Sequence, residues 1–217
     1  MFRLQIIMPT AKDTPTADPS PENGTSIDLK PRFVVYIILA LAGAGVDLWT
    51  KAAVFSWRDI PGQKDIWWVV DGYFGIETAV NIGAVFGLGA GQGTLFATLS
   101  VVAFIGIIVW LFRYRAAESL WLTVTLGLVT GGIFGNLYDR LGLWWQPGYP
   151  VEWKSGVRDW ILWQANAQWK WPNFNIADSL LVVGAFMLLY YSFFLDPKLA
   201  SDTADQSNSQ PNDQNNE

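Results

Sequence analysis

Three carboxylates in an otherwise apolar setting define the chemistry open to this chain. Asp47, Asp139 and Asp178 lie within or at the ends of long apolar runs, where an ionisable side chain is costly and so marks a functional candidate. The last two share their surroundings, because Asn136-Leu-Tyr-Asp139 closes one run and Asn175-Ile-Ala-Asp178 opens another. Three residues are close to one helical turn, so amide and acid share a face and each Asn can orient its acid. Two such units on facing helices would bring two carboxylates and two amides together. Close carboxylates shielded from water do not both ionise; one keeps a proton. The charged member can deprotonate a water, and the neutral one can polarise a carbonyl and protonate a leaving nitrogen. That is the chemistry of aspartic peptidases.

Plainer roles compete for each residue. Asp139, beside Arg140, could end a helix or meet lipid headgroups, and Asp178 could be a first-turn acid that stabilises a helix start. The repeated pattern favours a joint site over two separate coincidences. Asp47 and Lys51 stand four residues apart and form, on this reading, an intrahelical ion pair that supports the structure. A Ser-Lys mechanism using Lys51 with Ser56, Ser119 or Ser179 is weaker, since Ser119 falls at the wrong end and Ser56 lacks a distinctive context.

Composition narrows the rest. The chain has no cysteine and no histidine, which removes disulfides, thiol nucleophiles, Ser-His relays and histidine-ligated zinc. No metal or other cofactor is required by the carboxylate chemistry. A net charge of −5 without a basic cluster argues against a nucleic-acid partner. With 51% apolar and 15% charged residues, lipid is the expected solvent.

Four spans must position these residues. The first covers about 33–55, with Asp47 and Lys51 in its last turns. No charge occurs between Thr78 and Phe112, but Gly83, Gly87, Gly89, Gly91 and Gly93 spoil the first half as helix, so the second span starts near Thr94. The third covers 119–138, where Gly127, Gly131 and Gly135 recur every fourth residue and allow close helix approach. The fourth covers about 172–195. Residues 1–30 and 199–217 read as disordered polar tails flanking a transmembrane domain at 31–198. The apolar stretch Leu4 to Met8 is too short for a signal-peptide core, so the first span serves as insertion signal.

The short link 113–118 places both tails on one membrane face and the two long connections on the other. Arg113, Arg115, Lys30 and Arg32 favour a cytoplasmic location for tails and short link, which puts the three aspartates near the outer face. Trp144, Trp145, Trp153, Trp160, Trp163, Trp169 and Trp171 give the second connection an amphipathic, headgroup-facing character. In the first connection, apolar runs on either side of Asp71-Gly72 predict a hairpin and thus a small β-element on the outer face. The fold class is an all-α membrane protein of four helices, with that β-element and the Trp-rich connection outside.

Four motifs in order then resemble one family. Asp47-Leu-Trp-Thr-Lys51, Asn81-Ile-Gly-Ala-Val-Phe86-Gly87, Gly131-Gly-Ile-Phe-Gly-Asn136-Leu-Tyr-Asp139-Arg140 and Phe174-Asn175-Ile-Ala-Asp178-Ser179 are similar to those of the lipoprotein signal peptidases, or signal peptidase II. The resemblance covers roughly residues 33–195. It implies a bacterial inner-membrane aspartic peptidase that removes the signal peptide of a prolipoprotein, before a cysteine already carrying diacylglycerol. It implies a dyad of Asp139 and Asp178, a substrate site with Asn81, Asn136, Arg140 and Asn175, and structural support from Asp47 and Lys51. Membrane lipids and lipid-modified prolipoproteins are the implied partners. Val80 stands where many members carry arginine, Gly87 where serine is frequent, and the stretch between Arg140 and Phe174 is longer and richer in tryptophan. Two other classes fit four spans that hold acidic residues: a proton-coupled carrier, with Asp139 or Asp178 as proton site, and a non-catalytic assembly factor.

Overall fold

The computed structural model describes residues 27–83, 89–166 and 168–195, so both expected tails fall outside it except for residues 27–30. Four helices are long and apolar enough to cross a membrane. Helix α1 spans Lys30–Arg58 with Pro31 in its first turn, where a missing N–H costs nothing. Helix α2 spans Gly93–Ile108 and continues through a π-helical turn, Val109–Arg113. Helix α3 spans Leu120–Arg140; Ser119 caps it by accepting the Leu122 N–H at 3.3 Å. Helix α4 spans Ile176–Tyr190 and also ends in a π-helical turn, Tyr191–Leu195.

The fourth helix starts later than the hydropathy suggests. Pro172, Asn173 and Phe174 run extended, and Phe174 bridges Ile161 before Asn175 caps α4. The cap competes with helix for the backbone here, and hydropathy alone does not register it.

A four-stranded antiparallel sheet lies outside the spans in the order β1-β2-β3-β4. Strands β1 (Trp67–Val70) and β2 (Phe74–Asn81) form the expected hairpin. Gly72 takes φ +76° in the turn, and the Tyr73 N–H returns to the Val70 carbonyl at 3.0 Å. The sheet is larger than the hairpin alone, because the Trp-rich connection contributes β3 (Val157–Asn166) and β4 (Trp169–Lys170). Part of the stretch expected to lie along the bilayer surface is therefore strand. Its β-branched and aromatic residues find backbone partners on β2, from Phe74 opposite Trp163 to Asn81 opposite Val157.

Helix α3 is central. It buries Leu122, Leu126, Gly131 and Ile133, whereas α4 buries only Ala177 and Gly184 and exposes Val182, Phe186 and Phe193 as a lipid-facing surface would. The glycine series explains how α1 comes so close. A Cβ on Gly131 would lie 3.1 Å from the Gly43 Cα, and one on Gly135 would collide with the Asp47 carboxylate. Toward the short-link end the interface is a packed cluster of Tyr36, Leu111, Ala117, Leu122 and Leu126, with the Tyr36 hydroxyl 2.8 Å from Thr130 Oγ1. Toward the other end, the same helices bury charge.

Candidate active site

The C-terminal end of α3 and the N-terminal end of α4 meet beside β3, and α1 contributes one buried cation. Lys51 Nζ donates to Asn136 Oδ1 at 2.9 Å and is ion-paired with Asp47 Oδ2 at 2.7 Å and Asp139 Oδ2 at 3.2 Å. Asp47 Oδ1 accepts the Ala177 N–H at 2.8 Å, which ties α1 to the first turn of α4. The i,i+4 pair expected of Asp47 and Lys51 is present and fully buried.

Asp139 accepts three hydrogen bonds from Arg158 and is ion-paired with Lys51. Its Oδ1 takes Arg158 Nη2 at 2.8 Å and Nε at 3.1 Å, while Oδ2 takes the Arg158 backbone N–H at 2.9 Å and Lys51 at 3.2 Å. A carboxylate offers about four lone-pair sites, and two of the groups filling them are cations. The Asp139 carboxylate is thus held between the Arg158 fork and the Lys51 ammonium.

Asp178 has a different environment. Asn175 caps α4, its Oδ1 accepting the Asp178 N–H at 2.9 Å while Asp178 Oδ2 accepts the Asn175 N–H at 3.2 Å, a reciprocal capping box. Asn136 Nδ2 donates to Asp178 Oδ1 at 2.8 Å. The sequence pairs Asn136 with its own helical neighbour Asp139, but the structure turns it across to α4. Lys51 holds the Asn136 oxygen, so the amide NH2 must face Asp178.

The second carboxylate beside Asp178 is Asp159, on β3, which the sequence reading did not single out. Asn175 Nδ2 donates to Asp159 Oδ1 at 2.7 Å and to Asn136 Oδ1 at 3.1 Å. One asparagine thus holds Asp178 through its backbone N–H and Asp159 through its amide. Asp159 is only 2% exposed. Burial, and after it the nearby Asp178 charge, push its carboxyl well above the usual carboxylate range, while the Asn175, Lys51 and Asn81 side chains act the other way. The signal in the sequence was the strand alternation of Val157, Asp159 and Ile161, an acid in phase with two apolar residues.

Asp178, Asn136 and Arg140 reach one end of a cavity of about 800 Å³. Most of its remaining wall is apolar and comes from α2 and α4, with Phe96, Leu99, Leu181 and Val182, and Ser100, Asn173 and Ser179 also reach it. Arg140 frames the entrance: it donates to the carbonyls of Asn81 at 3.1 Å, Ser155 at 3.0 Å and Gly83, and its guanidinium lies over the Phe96 ring. Asn81 ends β2 at the same rim; residues 84–88 of its motif lie outside the described residues. The structure therefore brings Asn81, Asn136, Arg140 and Asp178 to one cavity, with Asn175 buried next to Asp178 and not itself lining it. Among the described residues no group of His, Cys, Asp and Glu has the arrangement of a metal site.

Comparison with known proteins agrees with this geometry. Residues 39–194 match the family described as "Signal peptidase (SPase) II". A lipoprotein signal peptidase of Rhodopirellula baltica is 63% identical over 82% of this chain and 80% of its own length. One from Geobacillus thermodenitrificans is 33% identical over 75% of this chain and 92% of its own. A bacterial membrane enzyme solved by the in meso method at 1.9 Å has the same fold, with a TM-score of 0.60, 23% identity and coverage of 74% of this chain and 94% of that one. With the family matched across all four spans and the sheet, the chain belongs to the signal peptidase II family of membrane peptidases.

Proposed function

We propose that the chain hydrolyses the peptide bond before the lipid-modified cysteine of a prolipoprotein, with Asp159 and Asp178 as the carboxylate dyad. The observation that carries this reading is the Asn175 bridge to both carboxylates, one of them at the end of the apolar cavity. Asp139, the partner that spacing and resemblance suggested for Asp178, serves instead as the anion that balances Lys51 and Arg158.

On this reading Asp178 takes a proton from water, and the resulting hydroxide attacks the scissile carbonyl carbon. Asp159, kept protonated by burial, donates to the carbonyl oxygen. The gem-diol intermediate collapses as Asp178 passes its proton to the leaving nitrogen, the C–N bond breaks, and the Asp159 carboxylate takes back a proton from a diol hydroxyl, which restores the dyad. Asn136 and Asn175 hold the dyad, Arg140 fixes the rim, and the apolar wall between α2 and α4 takes signal-peptide side chains and lipid tails. The protein sits in the inner membrane with tails in the cytoplasm. Arg115, whose Nη2 reaches the Ile27 carbonyl at 3.3 Å, and Arg113 supply the positive-inside bias at that end.

The test is cleavage of a purified diacylglyceryl-modified prolipoprotein in detergent, read as a gel shift. Wild type is expected to shorten it and folded Asp159→Asn and Asp178→Asn are not. A folded Asp159→Asn protein with wild-type turnover would sink the dyad; a folded wild type that leaves the substrate intact would reopen the carrier reading.

A further inference from the structure

At its first residues, Val157 to Asp159, strand β3 has no paired strand among the described residues on the side away from β2. Strand β4 pairs only with Gln164 and Asn166, and Phe174 meets β3 at Ile161. At Arg158 the two backbone groups on that open edge are held by side chains instead. The N–H donates to Asp139 Oδ2 at 2.9 Å, and the carbonyl accepts from Asn175 Nδ2 at 3.4 Å. The Arg158 guanidinium then returns to the same carboxylate through Nε at 3.1 Å and Nη2 at 2.8 Å. One residue, 7% exposed, thereby grips the end of α3 with both main chain and side chain.

The grip is braced. The guanidinium stands 5.4 Å from the Trp144 ring centroid and 6.0 Å from that of Phe55. The Trp144 indole N–H is itself fixed on the Gly156 carbonyl at 2.9 Å. On the other edge of the strand, Arg158 lies opposite Val80 and Asp159 opposite Ala79. The residue that follows this doubly held position is Asp159.

We infer that Arg158 is a positioning residue: its two-pronged contact with Asp139 latches β3 to the end of α3 and so fixes the Asp159 carboxylate beside Asp178. The inference rests on the Asp159–Asp178 dyad. It gives Asp139 a part in turnover without direct contact with substrate. Methionine at 158 would keep much of the length and the packing between the rings, but would leave the α3 end joined to β3 only by the backbone N–H. Displacements of about 1 Å in a reacting group cost on the order of 10²-fold in rate.

The experiment uses the full chain in detergent with the same lipid-modified substrate. Arg158→Met is expected to lower kcat by roughly 10- to 10²-fold, with KM nearly unchanged, because the substrate-facing rim of Asn81 and Arg140 is intact. Arg158→Lys, which keeps the charge and loses the fork, is expected to recover part of that loss. A wild-type kcat in folded Arg158→Met overturns the inference, as does a raised KM at constant kcat. Should the methionine variant not fold, the lysine variant decides: a lowered kcat at constant KM supports positioning, and a wild-type kcat leaves Arg158 a role in stability alone. Asp159→Asn in the same assay separates the two readings. If it retains turnover, the dyad itself fails; if it is inactive while Arg158→Met is normal, only the positioning role fails.

Discussion

The two Asn-x-x-Asp units have the same spacing and opposite surroundings. Asp139 ends α3, where unpaired carbonyls and the negative end of the helix dipole make a carboxylate unwelcome. It is buried there with two cations and a backbone N–H. Asp178 opens α4, where free N–H groups and the positive end of the dipole already favour an anion. It needs no cation in direct contact, so two of its acceptor sites stay open toward the cavity. Position on the helix, rather than local motif, separates a carboxylate paired with two cations from one held by an amide and a backbone N–H.

The largest expected effect breaks that comparison on the side of chemistry. Asp178→Asn is expected to lower kcat by roughly 10²- to 10⁴-fold, the range of a lost general acid or base, with a small fall in thermal stability, because asparagine can still accept from Asn136 while the Asn175 N–H loses its acceptor. Similar melting of the two proteins in detergent, together with loss of the gel shift, would carry it. A large fall in melting temperature would mean that Asp178 is structural as well.

Asp139→Asn should show the reverse emphasis. Removing one partner of a buried ionic network leaves the other charges uncompensated, at about 3–5 kcal/mol. Lys51 would keep Asp47, but Arg158 would face a neutral amide. Reduced stability to denaturant or heat is the expected result, with turnover loss secondary to it. Unaltered stability would show that the cations are solvated some other way.

Much of the frame was legible in the chain, and the reason is periodicity. Four spans, the Asp71-Gly72 hairpin and the close approach at Gly131 each follow from a local pattern with one structural solution. The site was half legible. Asp47, Lys51, Asn136, Asn175 and Asp178 stand out as polar residues in apolar runs, but that search is confined to the spans. Asp159 lies in a connection where Arg158-Asp159 reads as an ordinary interfacial pair. Only the pairing of β3 with β2, a contact between residues about 80 apart in sequence, carries it to Asp178. The equal spacing of the two Asn-x-x-Asp units also concealed that Asn136 serves the other helix.

The pH dependence follows from Asp159. Its pKa in the folded chain is raised above the ordinary 3.8, so folding favours the protonated form. The stability this contributes is fully present below the ordinary value and is lost as pH rises toward the folded value. Asp159→Asn should therefore melt at a higher temperature than wild type at pH 7 and by a smaller margin near pH 4. On the dyad reading, turnover of wild type falls on the alkaline side as the pair gives up its shared proton. A margin independent of pH would remove Asp159 as the titrating group.

The smallest effect compares the two capping residues. Ser119→Ala removes an N-cap, an expected loss of about 1 kcal/mol, and Asn175→Ala removes an N-cap together with the buried bonds to Asp159 and Asn136, an expected larger loss. Ser119 caps α3 at the short-link end, far along the helix from the carboxylates, so its loss should leave the pH–rate profile in place. Asn175 also donates to Asp159, and that hydrogen bond favours the ionised form. Without it the Asp159 carboxyl holds its proton to still higher pH, and the alkaline limb of turnover should move upward. A shift of the pH–rate profile in the Asn175 variant alone would separate the cap that stabilises a helix from the cap that also tunes the acid. A shift in both, or in neither, would mean that the Asn175 bridge has no electrostatic hold on the pair.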